Sequence, residues 1–272
     1  MVYLSIWIRL EGKVALITGA SSGIGECIAK LFAEHGAKII IADIQDELGQ
    51  AVCDVIGPSN SIYVHCDVTN EEDVKNAIDT AITTYGKLDI MLNNAGITGP
   101  NKALITDNEK SDFERVLNVD VTGVFLGMKH AARVMIPTKT GSIISMASLA
   151  SIVAGVTPHA YTCAKHAVVG LTKNLAAELG QFGIRVNCLS PHGLATPLTT
   201  SYTGLQAEAI ENEIHLTGNL KGVMLKTDDV ANAALFLASE ESKYISGQNI
   251  CIDGGAGIVN SAISIFKIPK HI

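Results

Sequence analysis

The sequence predicts an α/β fold: a single doubly wound (Rossmann) domain whose parallel seven-stranded sheet has helices on both faces. Three observations lead to this prediction. Short, β-branched apolar runs alternate with segments whose apolar residues recur at helical spacing. Each run is continuously apolar, as expected for parallel strands covered on both faces. A glycine-rich segment follows the first run and opens a helix, which is typical of the first βα unit of this fold.

The strands and helices follow from these runs in order. Strands are predicted at residues 14–18, 38–42, 61–65, 88–92, 142–146, 185–189 and 248–252. No repeat, low-complexity stretch or linker interrupts the chain, so residues 1–272 are predicted to form one domain. Residues 197–223 have a helical pattern with no strand before it. We expect them to form a small helical lid over the carboxyl ends of the strands.

Composition excludes several classes of protein. The 272 residues are 47% hydrophobic and 17% charged, with a net charge of −7, which excludes a disordered chain. Neither nucleic acid nor an anionic membrane is an expected partner, because the chain is acidic and has no basic cluster. No apolar run reaches the ~18 residues of a membrane span. Six dispersed cysteines and the lack of a signal-peptide pattern favour a reduced, cytoplasmic protein.

The glycine-rich segment, TGASSGIG at residues 18–25, is a candidate binding loop for a dinucleotide. Glycines allow a tight turn and a close approach of the main chain, while free N–H groups and the helix dipole face a pyrophosphate. The residues of this loop expected to bind the cofactor are Gly19, Ser22, Gly23, Ile24 and Gly25.

The acidic residue Asp43 predicts which dinucleotide is bound. It follows the apolar run of the second strand, with no Arg or Lys beside it. A carboxylate at that point can accept hydrogen bonds from both hydroxyls of an adenosine ribose and would repel a 2′-phosphate, so NAD is favoured over NADP. The alternative is a solvated Asp that starts the next helix. Asp67 could reach the adenine amino group or cap the helix that begins near Asn70, and both readings stay open.

Three motifs together identify a family. The glycine loop is followed by Asn93-Asn94-Ala95-Gly96 after the fourth strand and by Tyr161-x-x-x-Lys165. In this order and spacing, the chain resembles the short-chain dehydrogenase/reductases over about residues 10–256. The resemblance implies that NAD is also bound by a further set of residues, namely Asp67, Val68, Asn94, Ala95, Gly96, Tyr161, Lys165, Pro191, Leu194 and Thr196.

Tyr161, Lys165 and Ser148 are the expected catalytic residues. Tyr161 and Lys165 stand at i and i+4 and are therefore neighbours on one helix face. An ammonium beside a phenol favours the phenolate, which can take the proton of an alcohol. Ser148 lies just past the fifth strand, at the family's distance ahead of the Tyr for the Ser that holds the substrate oxygen. Ser145, within the strand, and Ser151, further into the loop, are its competitors.

The chain departs from the family pattern at two positions. Asp120 stands where the family has an Asn, three positions before Gly123. The resemblance implies that this residue acts largely through its backbone carbonyl, which an Asp retains. Asn118 lies roughly 200° around the helix and cannot substitute. After the sixth strand, His192 lies between Pro191 and Gly193, where it either lines the substrate pocket or is an ordinary loop residue.

The expected substrate is a small apolar alcohol or its ketone. The loop after Ser148 and the lid are both apolar, and residues 191–220 contain no Lys or Arg to hold an anionic group. The predicted substrate-contacting residues are Ser148, Leu149, Gly155, Tyr161 and His192. No metal-ligand spacing occurs among the histidines, so no metal is expected.

Four further segments narrow the resemblance to the family's plant branch of specialised metabolism: residues 65–68, 130–137, 219–222 and 241–244. This resemblance implies a monoterpenol substrate, with oxidation of borneol to camphor as the first choice. A lignan diol or lactol is the runner-up, and a non-catalytic NAD-binding regulator is the alternative of a different class. The family also implies a homotetramer, built by the helices around 111–135 and 160–182, with the apolar tail 258–268 as a further contact.

Overall fold

The sheet has the predicted seven parallel strands. The computed structural model describes residues 8–259, so residues 1–7 and most of the predicted tail contact lie outside the described residues. The strands are β1 Val14–Thr18, β2 Lys38–Asp43, β3 Ser61–His65, β4 Ile90–Asn93, β5 Gly141–Met146, β6 Ile184–Pro191 and β7 Asn249–Ile252. Their spatial order is β3-β2-β1-β4-β5-β6-β7, with every pair parallel. The predicted fold is confirmed, with small shifts of the strand ends.

Helices cover both faces of this sheet. Within residues 8–259 they are α1 Gly23–Glu34, α2 Asp46–Ile56, α3 Glu71–Tyr85, α4 Lys110–Leu117, α5 Val124–Met135, α6 His159–Leu179, α7 Pro197–Thr203, α8 Ala207–Thr217 and α9 Thr227–Ala238. α3, α5 and α6 pack on one face, and α1, α2 and α9 pack on the other.

Strand β1 shows why its run is continuously apolar. Val14 and Leu16 point into the core beneath α3, α5 and α6, whereas Ala15 and Ile17 point into the core beneath α1, α2 and α9. Successive side chains of a strand point to opposite faces, so each residue is buried, at about 1.5–3 kcal/mol for a large apolar side chain. The two edge strands differ from the prediction that every strand is covered on both faces. β3 and β7 are only half-buried, because each ends the sheet.

The long helix predicted at 111–135 contains a wide turn. α4 and α5 are joined without a break by a π-helical turn at Asn118–Gly123. Such turns insert an extra residue into an α-helix and occur frequently at functional sites. The second long helix, predicted at 160–182, consists of α6 and a 3₁₀ turn at Gly180–Phe182.

The segment at 197–223 is helical, as predicted. α7 and α8 lie within it, and the Tyr202 hydroxyl of α7 donates a hydrogen bond of 3.1 Å to Oδ1 of Asn101, in the loop after β4. All six cysteines are free thiols, of which Cys53, Cys66 and Cys188 are buried. Across residues 8–259, helices that combine the length and the apolar character needed to cross a bilayer are absent.

Candidate active site

A cavity of about 950 Å³ lies at the carboxyl ends of strands β1 to β6. The predicted site residues that line it are Gly19, Ser22, Gly23, Ile24, Asp43, Asp67, Val68, Asn94, Ala95, Gly96, Ser148, Leu149, Tyr161, Lys165, Pro191, His192, Leu194 and Thr196. Gly25 and Asp120 are buried outside its lining, and Gly155 is exposed on the loop after β5. These three residues thus lie outside the cavity lining, and their expected roles in binding and catalysis stay predictions.

The glycine loop is shaped by close contacts between backbone segments. Gly19 has φ +63°, and a Cβ on it would lie 2.7 Å from the Cα of Ala95. A Cβ on Gly25 would lie 2.2 Å from the carbonyl oxygen of Gly19. Gly25 lies outside the cavity lining. Because it has no side chain, α1 can start directly against the turn.

Asn94 fastens this loop to the end of β4. Its Nδ2 donates hydrogen bonds to the carbonyl oxygens of Thr18, at 3.0 Å, and Gly19, at 2.8 Å. Its own backbone N–H donates to Oγ1 of Thr18 at 3.0 Å. Two motifs that are distant in sequence thus form one structure at the point where the strand order reverses.

Asp43 is 5% exposed at the end of β2 and lines the cavity. Its Oδ2 accepts a hydrogen bond of 3.0 Å from the N–H of Ser21. Its Oδ1 accepts hydrogen bonds from the backbone N–H and the side-chain amide of Gln45, at 3.1 and 3.3 Å. A carboxylate oxygen can accept two hydrogen bonds, so Oδ2 keeps a free acceptor position. The alternative of a solvated Asp at a helix start does not hold, because Asp43 is buried and bonded to the glycine loop.

The two readings of Asp67 are separated by its neighbour. Asn70 caps α3 by accepting a hydrogen bond of 3.0 Å from the N–H of Glu72. Oδ1 of Asp67 instead accepts from the N–H and hydroxyl of Thr69, at 2.9 and 2.8 Å. Asp67 is thus a cavity residue and does not cap the helix.

Charge and exposure around Asp43 bear on the ligand. Among the cavity-lining residues that the structure describes, Lys165 is the sole Lys or Arg. Ile44, which follows Asp43, lines the cavity and is 60% exposed. Ile44 was not predicted as a site residue. An exposed apolar residue directly after an acidic strand end can nevertheless indicate a surface for a flat apolar ligand.

Tyr161 and Lys165 occupy the opposite end of the cavity. The Nζ of Lys165 lies 5.1 Å from the centre of the Tyr161 ring, within the range of a cation–π contact. Nζ also donates a hydrogen bond of 3.1 Å to the carbonyl oxygen of Met146, at the end of β5. Lys165 is only 3% exposed, so α6 presents a fixed ammonium beside the phenol.

Ser148 is the serine that faces this pair. Its Oγ accepts a hydrogen bond of 3.2 Å from the N–H of Ala150, which leaves its O–H free to donate into the cavity. Ser145 is fully buried and accepts a hydrogen bond from Asn93. Ser151 is bonded to Ser190 and Asn249. The hydroxyls of Ser145 and Ser151 are therefore bonded inside the protein, and neither residue lines the cavity.

Asp120 reaches this site with its side chain. Its Oδ2 lies 2.9 Å from the Nζ of Lys165, and its Oδ1 accepts a hydrogen bond of 2.8 Å from the N–H of Ile97. Burial raises the pKa of Asp120. Burial would lower the pKa of Lys165, but Asp120 and Tyr161 together raise it. The carboxylate of Asp120 is thus an ion-pair partner of Lys165, a contact that the sequence did not predict, and the expected role of its backbone carbonyl stays a prediction.

His192 belongs to the cavity wall. Its Nδ1 accepts a hydrogen bond of 2.6 Å from the N–H of Gly193, which places the proton of the neutral ring on Nε2. Burial lowers the pKa of His192, opposed by Asp253, so the ring is neutral near pH 7. His192 thus provides an N–H donor near the substrate end.

The lid supplies the remaining wall. Leu198, Tyr202 and Ile214 line the cavity, as expected from their apolar character. Leu205 and Leu216 do not line it and are 41% and 76% exposed. Sequence reasoning also missed polar wall residues of α8, Glu213 and Thr217, because the apolar spacing of a helix does not show which polar side chain lies at a cavity edge.

Comparison with known proteins identifies relatives along nearly the whole chain. A family model described as enoyl-(acyl carrier protein) reductase matches residues 19–257. Secoisolariciresinol dehydrogenase of Forsythia intermedia is 64% identical over 96% of this chain and 95% of its own. The mitochondrial borneol dehydrogenase of Lavandula x intermedia is 57% identical over 96% of both chains. A crystal structure of 3-ketoacyl-(acyl-carrier-protein) reductase from Brucella melitensis complexed with NADH has a TM-score of 0.83 at 36% identity, covering 92% of this chain and all of that one.

Proposed function

The chain belongs to the short-chain dehydrogenase/reductase family, and we propose that it oxidises an apolar cyclic secondary alcohol to the ketone with NAD. One observation carries this proposal. A single cavity joins the Ser148, Tyr161 and Lys165 side chains at one end to Asp43 and the glycine loop at the other. This arrangement supports a proton acceptor at one end of a continuous space and a dinucleotide at the other.

The residues fit a nicotinamide dinucleotide. The first N–H groups of α1 lack intrahelical partners, and Ser22, Gly23 and Ile24 at that helix start line the cavity. They would hold the pyrophosphate, since a helix N-terminus favours an anion. Asp43 would accept from the adenosine ribose, and Ile44 would pack against the adenine.

NAD is favoured over NADP on electrostatic grounds. Asp43 is a buried carboxylate whose Oδ2 has a free acceptor position, and no lining Arg or Lys within the described chain lies at its end of the cavity. A 2′-phosphate would meet this carboxylate without a cation to compensate its charge.

Ser148, Tyr161 and Lys165 each have a separate role in the proposed oxidation of the alcohol. The nicotinamide, when bound, supplies the acceptor for the hydride that leaves the alcohol carbon. The Ser148 O–H donates a hydrogen bond to the alcohol oxygen and holds it beside Tyr161. The Tyr161 phenolate takes the hydroxyl proton, and the Lys165 ammonium stabilises that phenolate. The products would be the ketone, the reduced dinucleotide that holds the hydride, and one proton on the Tyr161 oxygen.

A monoterpenol such as borneol is the first candidate substrate. Much of the cavity wall is apolar and suits a compact hydrocarbon skeleton. Its apolar residues include Leu149, Val153, Val156, Leu198 and Ile214. The relative named for borneol, at 57% identity, supports this choice.

A lignan diol or lactol is the second candidate. The N–H donor of His192 lies in the cavity wall, where a second oxygen of such a substrate could accept its hydrogen bond. The relative named for secoisolariciresinol, at 64% identity, favours the same class.

Steady-state kinetics test the proposal. We expect NADH to form when the protein is mixed with NAD and borneol or secoisolariciresinol, with a higher kcat/KM for NAD than for NADP. The alcohol with the higher kcat/KM identifies the substrate class. Formation of no NADH from either alcohol, or from a panel of other cyclic secondary alcohols, together with retained NAD binding, would favour the non-catalytic regulator.

We further propose that the protein is a cytoplasmic homotetramer, as its family resemblance implies. Light scattering of the purified 28.6-kDa chain measures the oligomeric state directly, and a monomeric mass would contradict the proposal.

A further inference from the structure

Asp120 and Lys165 form a buried ion pair next to Tyr161. The carboxylate is fully buried in the π-helical turn, and Lys165 is 3% exposed in α6. The 2.9 Å contact between Oδ2 and Nζ therefore joins two charges away from water, where their interaction is strong.

The surrounding backbone is shaped around this pair. A Cβ on Gly96 would lie 2.9 Å from the Oδ2 of Asp120 and 3.4 Å from the Nζ of Lys165. The N–H of Ile97 holds the other carboxylate oxygen at 2.8 Å, and the carbonyl of Met146 holds the ammonium at 3.1 Å. The carboxylate thus has a defined position against the ammonium.

The charged side chains of α4 and α5 named here lie at the surface, away from the buried pair. The Lys165 ammonium opposes the rise that burial causes in the pKa of Asp120, while Asp120 and Tyr161 raise the pKa of Lys165. The charged residues of α4 and α5, such as Arg115, Lys129 and Arg133, are exposed and paired with Asp112, Glu71 and Asp79.

We propose that Asp120 is a positioning residue that neutralises the Lys165 ammonium and so moves the onset of alcohol oxidation to higher pH. With Asp120 ionised, the resting cluster of Tyr161, Lys165 and Asp120 has a net charge of zero. Loss of the Tyr161 proton leaves a cluster with a charge of −1, in which Asp120 and Lys165 are buried, and this is unfavourable. An amide at position 120 would give a resting charge of +1, and the same proton loss would produce a neutral cluster.

The sign of this effect does not depend on which member of the pair gives up the proton. The coupled groups lose their first proton as a unit, and removal of a nearby negative charge always makes that loss easier. A charge at a distance of ~4–6 Å moves such a titration by about 1–3 units, so we expect a shift on the order of one pH unit.

Asp120→Asn tests the proposal, and Asn118 offers a matched control. Asn118 is an exposed residue of the same turn, so Asn118→Asp places a carboxylate two positions away but in water. The double variant Asn118→Asp/Asp120→Asn keeps the composition and net charge of the chain while moving the carboxylate out of the core. Asp120→Ser is a second, smaller replacement in case the amide disturbs folding, which thermal unfolding followed by circular dichroism would reveal.

The first measurement is an ultraviolet difference titration of Tyr161. The absorbance of phenolate is followed against pH in each protein, and the same variant with Tyr161→Phe is subtracted to remove the other tyrosines. This measurement uses neither NAD nor an alcohol, so its result stands apart from the proposed function. The second measurement, which rests on that function, is kcat/KM against pH with an accepted alcohol.

We expect the midpoint of both profiles to fall by about one unit in Asp120→Asn, Asp120→Ser and the double variant, and to stay in place in Asn118→Asp. An unchanged or higher midpoint in the folded Asp120 variants would overturn the proposal. A rise of equal size in Asn118→Asp, with no shift in the double variant, would also overturn it, because the effect would then come from the net charge of the chain.

Discussion

The two ends of the cavity are built on different principles. At the glycine-loop end, directed hydrogen bonds fix the backbone: Asn94 bonds to the carbonyls of Thr18 and Gly19, and Asp43 bonds to the N–H of Ser21. At the lid end, the wall consists of side chains such as Leu198 and Ile214 on the two short helices α7 and α8. The first end needs particular atoms in particular places, whereas the second needs only a suitable volume.

This difference separates what is fixed in such an enzyme from what can vary. A displaced backbone N–H or carboxylate has no replacement, because no other group can reach its place. An apolar wall side chain can be exchanged for another of similar volume, usually at a cost of less than about 1.5 kcal/mol. We therefore expect large effects from changes at Tyr161 and around the glycine loop, and small effects from changes in the lid.

The largest effect is expected for Tyr161→Phe. The change keeps the ring but removes the proton acceptor that we place beside the alcohol. We expect kcat to fall by ~10²–10⁴-fold, the usual contribution of general acid–base catalysis. The Kd for NAD should change little, because Lys165, Asp43 and the glycine loop remain. Steady-state kinetics and fluorescence titration measure the two quantities.

Tyr202→Phe is the matched control for that experiment. It removes the same hydroxyl from a lid residue that lines the same cavity, where its partner is Asn101. We expect kcat to change by less than about threefold, in keeping with loss of one exposed hydrogen bond. Near-normal turnover by Tyr161→Phe would show that the catalytic base is misassigned, and Ser148 or His192 would then be the groups to examine.

Gly25→Ala should have the next largest effect, although Gly25 does not line the cavity. The added methyl would lie 2.2 Å from the carbonyl oxygen of Gly19 and 2.5 Å from the Nδ2 of Asn94. Relief of this clash must displace the loop, at a cost of about 1–3 kcal/mol. We expect a lower Tm and an increase of about ten- to a hundredfold in the Kd for NAD.

Gly180→Ala is the control glycine for that experiment. Gly180 follows the last residue of α6 with φ −56° and has open space around the position of a Cβ. There the methyl should raise stability by up to about 1 kcal/mol without changing the Kd for NAD. Equal behaviour of the two variants would contradict the role that we assign to the close contact at Gly25.

Asp43→Asn should change the choice of cofactor. The amide keeps the size of the side chain but removes its negative charge, so NAD loses a charged acceptor and NADP loses a repulsion. We expect the ratio of kcat/KM for NAD to that for NADP to fall at least about tenfold, equivalent to ~1.4 kcal/mol. Asp46→Asn, an exposed change three positions away, should leave the ratio in place. A ratio unaffected by Asp43→Asn would show that another group rejects the 2′-phosphate.

The same contrast explains what the sequence could predict. The strands, the glycine loop and Ser148 were predictable, because each depends on a local requirement: continuous burial, a main chain without a Cβ, or a position just past a strand. The cap of α3 was less predictable. Asp67 and Asn70 are both suitable caps in sequence, and only the turn that Asp67 makes with Thr69 assigns the cap to Asn70.

The contact of Asp120 could not be predicted at all. Regular helical spacing describes an unbroken α-helix, and nothing in the apolar pattern at Asn118–Gly123 indicates a π-helical turn. The direction of the Asp120 side chain follows from packing against α6, a helix that lies beyond β5 in the chain. Contacts of this kind depend on tertiary structure, so local sequence does not encode them.

The smallest effect is expected in the lid, where Ile214→Ala sharpens the comparison. Ile214 lines the cavity, and its Cδ1 approaches the backbone at Gly193 closely, so truncation enlarges the substrate end next to His192. Loss of this contact should raise KM for an apolar alcohol by about three- to tenfold, equivalent to ~0.7–1.4 kcal/mol. The Kd for NAD should stay within a factor of two. Leu216→Ala, on the same helix but 76% exposed and away from the lining, should change neither quantity. A rise in the Kd for NAD equal to the rise in KM would show that the two ends of the cavity are coupled, and the lid would then be part of the cofactor site.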